Sequence, residues 1–424
     1  MAGPTFQALP GFRDFTPREC AVRNYLFETW RDVARRCGYV EYETPVLEDT
    51  GLYLKKSGGE LSSQLFRFED QGGRDVTLLP EVTASLARIV AQHQRDFPKP
   101  LKWFEIGQCF RYEKPQKGRG REFHQFNVDI LGEGGPAADA ELISLAIETM
   151  LSFGFVEGDF VVRVSDRMAW IAFAAANGIA EDRIPDFLGI IDKIEREKPE
   201  VLEQKLAAFS LTPDGVRGFI ADPANASAAY LVIREDLAAR GFAGFIELDL
   251  SIVRGLAYYT GVVFEVFDAK KSMRAVAGGG RYDALVKKLG GPDLPAVGFG
   301  MGDVTMRDLL ELKKLIPAYA DGPDFYVMIL GDDARNAALE DIANLRRAGF
   351  RVEYNLKDGK FPKLIQAAEV AGSKYALVYG GSEVAKGVAK VRSLADRSEA
   401  EVPRTDLVPA LRAVLEEGMR AIQP

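Results

Sequence analysis

Two stretches in which apolar residues alternate with polar ones, Leu101 to Tyr112 and Glu122 to Leu131, flank a loop crowded with cations, and this unit constrains the fold more than any other part of the chain. Period-two alternation predicts two strands joined by a long charged loop. The connection RYEKPQKGRGR holds Arg111, Lys114, Lys117, Arg119 and Arg121, interrupted by Pro115, Gly118 and Gly120. A solvated hairpin tip tolerates such charges. Arg111 is different, because it ends the strand WFEIGQCFRYE, where an arginine must face either solvent or a buried anion.

The chain has 424 residues, more than one core usually organises, so two or three domains are expected. RECAVRNYLFETWRDVARRC (18 to 37) has helical spacing and stops at Gly38. YVEYETPV, with Pro45 inside it, predicts an edge or interface strand, since proline cannot donate to a ladder. LFRFED and VTLLPEV predict a hairpin around Gln71 to Arg74, and Glu81 to Gln92 a helix. From about 166 to 238 the pattern turns helical, as an insertion. Strands resume with IELDLSIV and VVFEVFD, and GGGRYDALVKKLGG adds β structure and a short helix. LKKLIPAYADGPD fits a linker. Beyond it FYVMILG, AALEDIANLRRAG, FRVEYN, FPKLIQAAEVAG and YALVYGG alternate strand and helix, which predicts a small parallel or mixed sheet flanked by helices. The expected domains are 1–322, with the insertion inside it, and 323–424.

Composition narrows the function classes. Hydrophobic residues at 47% and charged residues at 27% exclude a disordered or fibrous chain. Cys20, Cys37 and Cys109 are widely spaced and outside any CxxC pattern, so neither a disulfide framework nor a zinc site is expected. The N-terminal MAGPTFQALPGFRDF lacks a signal-peptide pattern and no segment approaches eighteen uninterrupted apolar residues, so a cytoplasmic protein with no membrane partner is expected. Net charge is -8, yet residues 324–424 hold 15 basic against 15 acidic residues, and 355–392 hold seven against three. That locally positive stretch is where nucleic acid is expected.

The order FRYE, GRGR, FHQFNVDILG resembles motif 2 of the class II aminoacyl-tRNA synthetases, and VRGLAYYTGVVFEVF (253 to 267) resembles a sequence characteristic of the histidyl-tRNA synthetase family. The resemblance spans nearly the whole chain. GFRDFTP opens it, YETPVLE resembles the motif 1 strand, LLPEVTASLAR the amino-acid-binding turn, and the tail the anticodon-binding domain of a class II subgroup. It implies an α+β catalytic domain on an antiparallel sheet with a helical insertion, plus a C-terminal α/β anticodon-binding domain.

The implied activity is activation of histidine by ATP and its transfer to tRNA(His), by a homodimer joined through motif 1, with ATP as substrate, Mg2+ accompanying it and no organic cofactor. Attack of a carboxylate on a phosphate brings two anions together, so cations must be placed in advance. The resemblance assigns Arg111 and Arg254 to the reacting centre, Glu113 to the adenine end and Arg119 to the distal phosphates, with Tyr282 and Gly300 also at ATP. It assigns Glu81, Val82, Thr83 and Gln125 to the amino-acid end of histidine, Asp129 and Tyr259 to the ring, and Tyr258 and Tyr282 to the lining of its pocket. Gly278 to Gly280 match no phosphate-loop pattern and are expected to let backbone approach ATP. His124, with His93 as its one possible histidine partner, is expected to be structural or to touch the tRNA end, not to bind metal.

Three departures from the family pattern stand out. Motif 3 ordinarily ends in Gly-Leu-Glu-Arg, whereas GMGDVTMRDLL places Asp303, Val304 and Thr305 there, and Arg307 would point roughly 200° away on a helix. Ala257 replaces an aspartate, and Leu79 an arginine. The alternative these changes raise is an inactive paralogue that binds histidine as a regulatory subunit of histidine biosynthesis. Such regulators normally lack the anticodon-binding tail, which this chain has.

Overall fold

The structure, a computed structural model, describes residues 6–57, 62–116, 118–253, 259–270, 272–318 and 322–422. It divides into two compact units, Met1–Pro317 and Ala318–Pro424.

In chain order the strands of the first unit are β1 (Val40–Glu41), β2 (Leu47–Asp49), β3 (Arg67–Glu69), β4 (Asp75–Leu78), β5 (Leu101–Phe110), β6 (Glu122–Leu131), β7 (Phe160–Asp166), β8 (Ile246–Leu248), β9 (Val262–Asp268), β10 (Ala277–Arg281) and β11 (Ala296–Gly302). The two long alternating stretches pair antiparallel along their whole length, from Leu101 opposite Leu131 to Phe110 opposite Glu122. Around them the main sheet runs β1-β5-β6-β11-β10-β9-β7-β8, antiparallel except for β1 against β5 and β7 against β8. β2, β4 and β3 form a separate small sheet, which contains the expected hairpin.

Alternation decides which face of the sheet is core. Phe126, Val128 and Ile130 of β6 and Val297, Phe299 and Met301 of β11 turn into the main core, against the almost wholly buried helix Pro136–Ser152 and the N-terminal helix Pro17–Arg36, whose Trp30 stacks on Phe126 with centroids 5.4 Å apart. Burying each large side chain there contributes about 1.5–3 kcal/mol. Gln125, Asn127 and Asp129, one residue out of phase, occupy the opposite face, in register with Gly302, Gly300 and Gly298 of β11.

Two predicted strands fall furthest short of the expected length. Only Val40 and Glu41 of YVEYETPV are strand, at the sheet edge. IELDLSIV stops at Leu248 because Asp249 accepts hydrogen bonds from the Ser251 backbone N–H (3.0 Å) and hydroxyl (2.5 Å), a local turn that competes with the ladder.

The helical stretch between β7 and β8 is itself divided. Helices Arg167–Ala176, Ile184–Ile191, Pro199–Ala207 and Pro213–Ala221 surround a core of their own, with Trp170, Phe187, Leu202 and Leu206 at its centre. Ala228–Ala239 instead sends Tyr230, Ile233 and Leu237 into the main core.

Arg281 of the GGGRYD stretch is structural. Its guanidinium is clamped by the buried Asp139 carboxylate (2.6 Å at the closest), by the Glu133 and Gly135 carbonyls and by Asp283. The pair fastens the end of β10 to the first turn of helix Pro136–Ser152. Replacing Asp139 by alanine strands a buried cation, and denaturant unfolding is expected to show a loss of about 3–5 kcal/mol. A loss under about 1 kcal/mol, the scale of exposed pairs, would show that the pair does not hold the strand.

The second unit carries β12 (Phe325–Ile329), β13 (Val352–Tyr354), β14 (Tyr375–Tyr379), β15 (Val388–Ser393) and β16 (Glu399–Pro403), in the sheet order β13-β12-β14-β15-β16. β12 is parallel to both neighbours, and β15 and β16 add an antiparallel edge. Phe325, Val327 and Ile329 face helices Asp332–Arg347 and Leu407–Glu417, while Tyr326 and Met328 face helix Phe361–Val370.

Candidate active site

On the polar face of β6 two cavities adjoin. The inner one is walled by Glu81 and Thr83 at the start of helix Val82–His93, by Gln125, Asn127 and Asp129, and by Tyr259 and Tyr282. Its floor is β11, where glycines are required. A Cβ on Gly298 would lie 1.8 Å from Asp129 Oδ1, and one on Gly300 2.2 Å from Gln125 Nε2, so both polar side chains occupy space that only glycine leaves. The Tyr282 hydroxyl donates to Asp129 Oδ1 at 2.5 Å and so fixes the carboxylate's orientation.

The outer cavity is a cleft between the charged loop and the start of helix Asp303–Lys313, with Arg111, Glu113, Arg119, Arg274, Val304 and Thr305 on its walls. Arg111, Gln125, Gly278 and Gly300 line both cavities. Arg111 stands at the junction because its Nε donates to the Pro80 carbonyl (2.9 Å) and its guanidinium lies over the Phe123 ring at 5.2 Å. Arg119 is ion-paired with Glu113.

The structure sorts the expected residues. Glu81, Thr83, Arg111, Gln125, Asp129 and Tyr259 meet in the inner cavity, and Arg111, Glu113, Arg119 and Gly300 in the cleft. Tyr282, expected both in the histidine pocket and at ATP, is a wall of the inner cavity. Val82 does not turn its side chain to either cavity, since it is fully buried among Tyr53, Leu79 and Cys109. Arg254 and Tyr258 lie outside the described residues, as does Lys117. Of the remaining loop cations, Arg121 is held back, lying over Tyr112 at 4.2 Å and donating to the Glu113 carbonyl.

Two polar or charged lining residues escaped the sequence reading. Asn127 carries no charge to draw notice, but it follows Gln125 and precedes Asp129 by two positions, and that period alone places it on the same face. Arg274 lies between β9 and β10 in the charged run DAKKSMR, which reads as solvated surface.

Asp303, in the altered motif 3, has a structural role. Its carboxylate accepts from the His124 backbone N–H (2.9 Å) and pairs with Arg13 (2.9 Å). Burial alone would raise this acid, but His124 and Arg13 outweigh it and hold the carboxyl below the usual range. Arg307 is turned along its own helix to Glu311 at 3.0 Å. Among the described residues no cluster of three or more His, Cys, Asp or Glu could hold a metal, and no helix is long and apolar enough to cross a membrane.

Residues 11–304 match the family model described as histidyl-tRNA synthetase, and residues 324–414 the one described as anticodon binding domain. The chain belongs to the histidyl-tRNA synthetase family. A histidine-tRNA ligase of Opitutus terrae is 45% identical, covering 96% of this chain and 98% of the relative, and the chloroplastic/mitochondrial histidine-tRNA ligase of Arabidopsis thaliana is 37% identical over 94% and 85%. Among solved structures, a Nostoc histidyl-tRNA synthetase superposes with a TM-score of 0.79 at 23% identity, over 96% of this chain and 99% of that one. A Bacillus halodurans protein described as an ATP phosphoribosyltransferase regulatory subunit/histidyl-tRNA synthetase gives 0.70 at 23%, over 87% and 98%. At that identity the structures establish the fold shared by this family, a class II catalytic sheet with a separate anticodon-binding unit.

Proposed function

We propose that this histidyl-tRNA synthetase family member activates histidine with ATP and transfers it to the 3′ end of tRNA(His). It is an aminoacyl-tRNA ligase, releasing AMP and pyrophosphate. The observation that carries this reading is the shared wall of the two cavities. Arg111 faces both, so an amino-acid carboxylate in one and the α-phosphate of ATP in the other would meet at its guanidinium. The carboxylate oxygen attacks the α-phosphorus and pyrophosphate leaves into the cleft. The terminal tRNA hydroxyl then attacks the activated carbonyl and AMP leaves. Neither step needs a side-chain nucleophile, because preorganised cations and positioning supply the stabilisation.

The inner cavity suits histidine at both ends. Glu81, Thr83 and Gln125 offer acceptors to an α-ammonium group, and Asp129 with Tyr259 faces the imidazole, rejecting isosteres that cannot return its hydrogen bonds. Tyr282 positions Asp129 for this contact. Arg254 and Tyr258 keep the roles the resemblance gives them. ATP enters as its magnesium complex, with metal ligands from phosphate and water, since the one carboxylate named on the cleft wall, Glu113, already pairs with Arg119.

In the second unit, Arg351, Lys386, Lys390 and Arg392 already face carboxylates. Lys357, Lys360, Lys363 and Lys374 are exposed and make no ion pair among the described residues, so they are the better candidates for tRNA phosphates. A homodimer through the motif 1 region is supported by the exposed apolar side chains Val40, Val46, Leu47 and Phe97. A cytoplasmic location accords with such an assembly. The regulatory-subunit alternative gains no support, since the relatives at 37% and 45% identity are ligases and the chain keeps its anticodon-binding unit.

The purified protein is expected to exchange pyrophosphate into ATP with histidine present and not with any other amino acid. Folded protein that shows no histidine-dependent exchange would overturn the ligase reading in favour of the regulator.

A further inference from the structure

Motif 3 lacks the arginine that grips the far end of the triphosphate in this family, and Arg307 does not replace it, being turned to Glu311. Thr305 stands where that arginine is expected, on the cleft wall. The segment packed against it is Arg274 to Ala277. The Thr305 hydroxyl reaches the Val276 carbonyl at 3.5 Å, and the Gly302 N–H donates to the same oxygen at 3.2 Å. Arg274, two residues before Val276, therefore lines the cleft beside the altered motif position, within electrostatic reach of Arg111 and Arg119.

The three arginines of the cleft are not equivalent. Arg119 is paired with Glu113 and Arg111 is tied to the Pro80 carbonyl, whereas Arg274 makes no hydrogen bond or ion pair among the described residues. Burial first, then the neighbouring charges of Arg119 and Arg111, push its guanidinium below the ordinary value, while Glu113 pulls the other way. Converging cations that repel one another are what a bound polyanion would relieve. We propose that Arg274 takes over the task of the absent motif 3 arginine and holds the distal phosphates of ATP.

The inference rests on the cleft being the ATP site, and its test separates the two. Arg274→Ala is expected to weaken ATP about 10–100-fold, both as KM in histidine-dependent exchange and as Kd by calorimetry, the loss typical of a charged hydrogen-bonding partner, while AMP binding is unchanged. Arg274→Lys keeps the charge without the planar fork and should fall between. Thr305→Arg on the Arg274→Ala background restores an arginine at the motif position and should recover ATP affinity. Arg307→Ala should match the unaltered protein. If the unaltered protein exchanges with histidine but Arg274→Ala binds ATP equally well, or loses ATP and AMP to the same degree, Arg274 has no distal-phosphate role and the ligase reading stands. If the unaltered protein neither binds ATP nor exchanges, both fall.

Discussion

Arg111→Ala is expected to lower histidine-dependent pyrophosphate exchange by about 10²–10³, the usual consequence of removing one preorganised donor from a reacting centre. The size of the effect follows from where the side chain stands. It lines both cavities, so one guanidinium serves the attacking carboxylate and the phosphate under attack, and its loss removes the cation that screens the two anions from each other at the junction. Its structural ties are modest, one hydrogen bond to Pro80 and one contact over Phe123, together about 1–2 kcal/mol against a net stability of about 5–15 kcal/mol for a typical domain. The variant should therefore melt near the temperature of the unaltered protein, which separates lost chemistry from lost fold. Arg111→Lys should recover little, because a lysine supplies charge without the bidentate fork. Undiminished exchange by folded Arg111→Ala would remove Arg111 from the chemistry.

How far the site could be read from sequence depended on how local its signals are. The β5–β6 pair and its cationic loop were legible because alternation and charge are written within one stretch, Leu101 to Leu131. Gln125 and Asp129 came with them. The resemblance places Val82 with Glu81 and Thr83, but in the first turn of a helix successive side chains diverge, and the Val82 side chain turns to the core. Arg281 looked unremarkable in sequence because its partner Asp139 is 142 positions away, and Arg274 because tertiary folding alone brings it to Arg111 and Arg119. β15 and β16 were missed for a different reason. VAKVRS buries only Ala389, Val391 and Ser393 between charged or half-buried neighbours, and EAEVP, at the sheet edge, buries only Val402, so hydrophobic patterning is faint.

The glycines teach the same distinction. Gly278 to Gly280 were expected to let backbone approach a nucleotide, and Gly278 does line both cavities. Gly279 answers to another constraint, since a Cβ there would lie 2.1 Å from the Gly298 carbonyl of the neighbouring strand. One run of three identical residues thus serves a cavity and a strand contact, and sequence alone does not apportion them.

A chain ending at Pro317 is expected to keep histidine-dependent exchange but to lose charging, with kcat/KM for tRNA falling about 10²–10⁴-fold, the range by which a second linked binding module raises affinity. Exchange should survive because every described residue named on either cavity wall precedes Pro317, and the cut keeps Leu315 and Ile316, which pack against the main core. Charging should fail because the cations left for RNA are concentrated beyond the cut. Residues 1–323 carry the whole net charge of -8 while 324–424 are balanced, so the first unit alone presents an acidic body to a polyanion. The same reasoning predicts a change in salt response. Every phosphate left without its cation flattens the decline of tRNA affinity with salt, so the truncated chain should show a shallower slope than the full chain, and so, by a smaller step, should Lys357→Ala with Lys363→Ala. Equal charging by the truncated chain, with an unchanged salt slope, would remove the second unit from tRNA binding and leave its match to the anticodon-binding family without a function here.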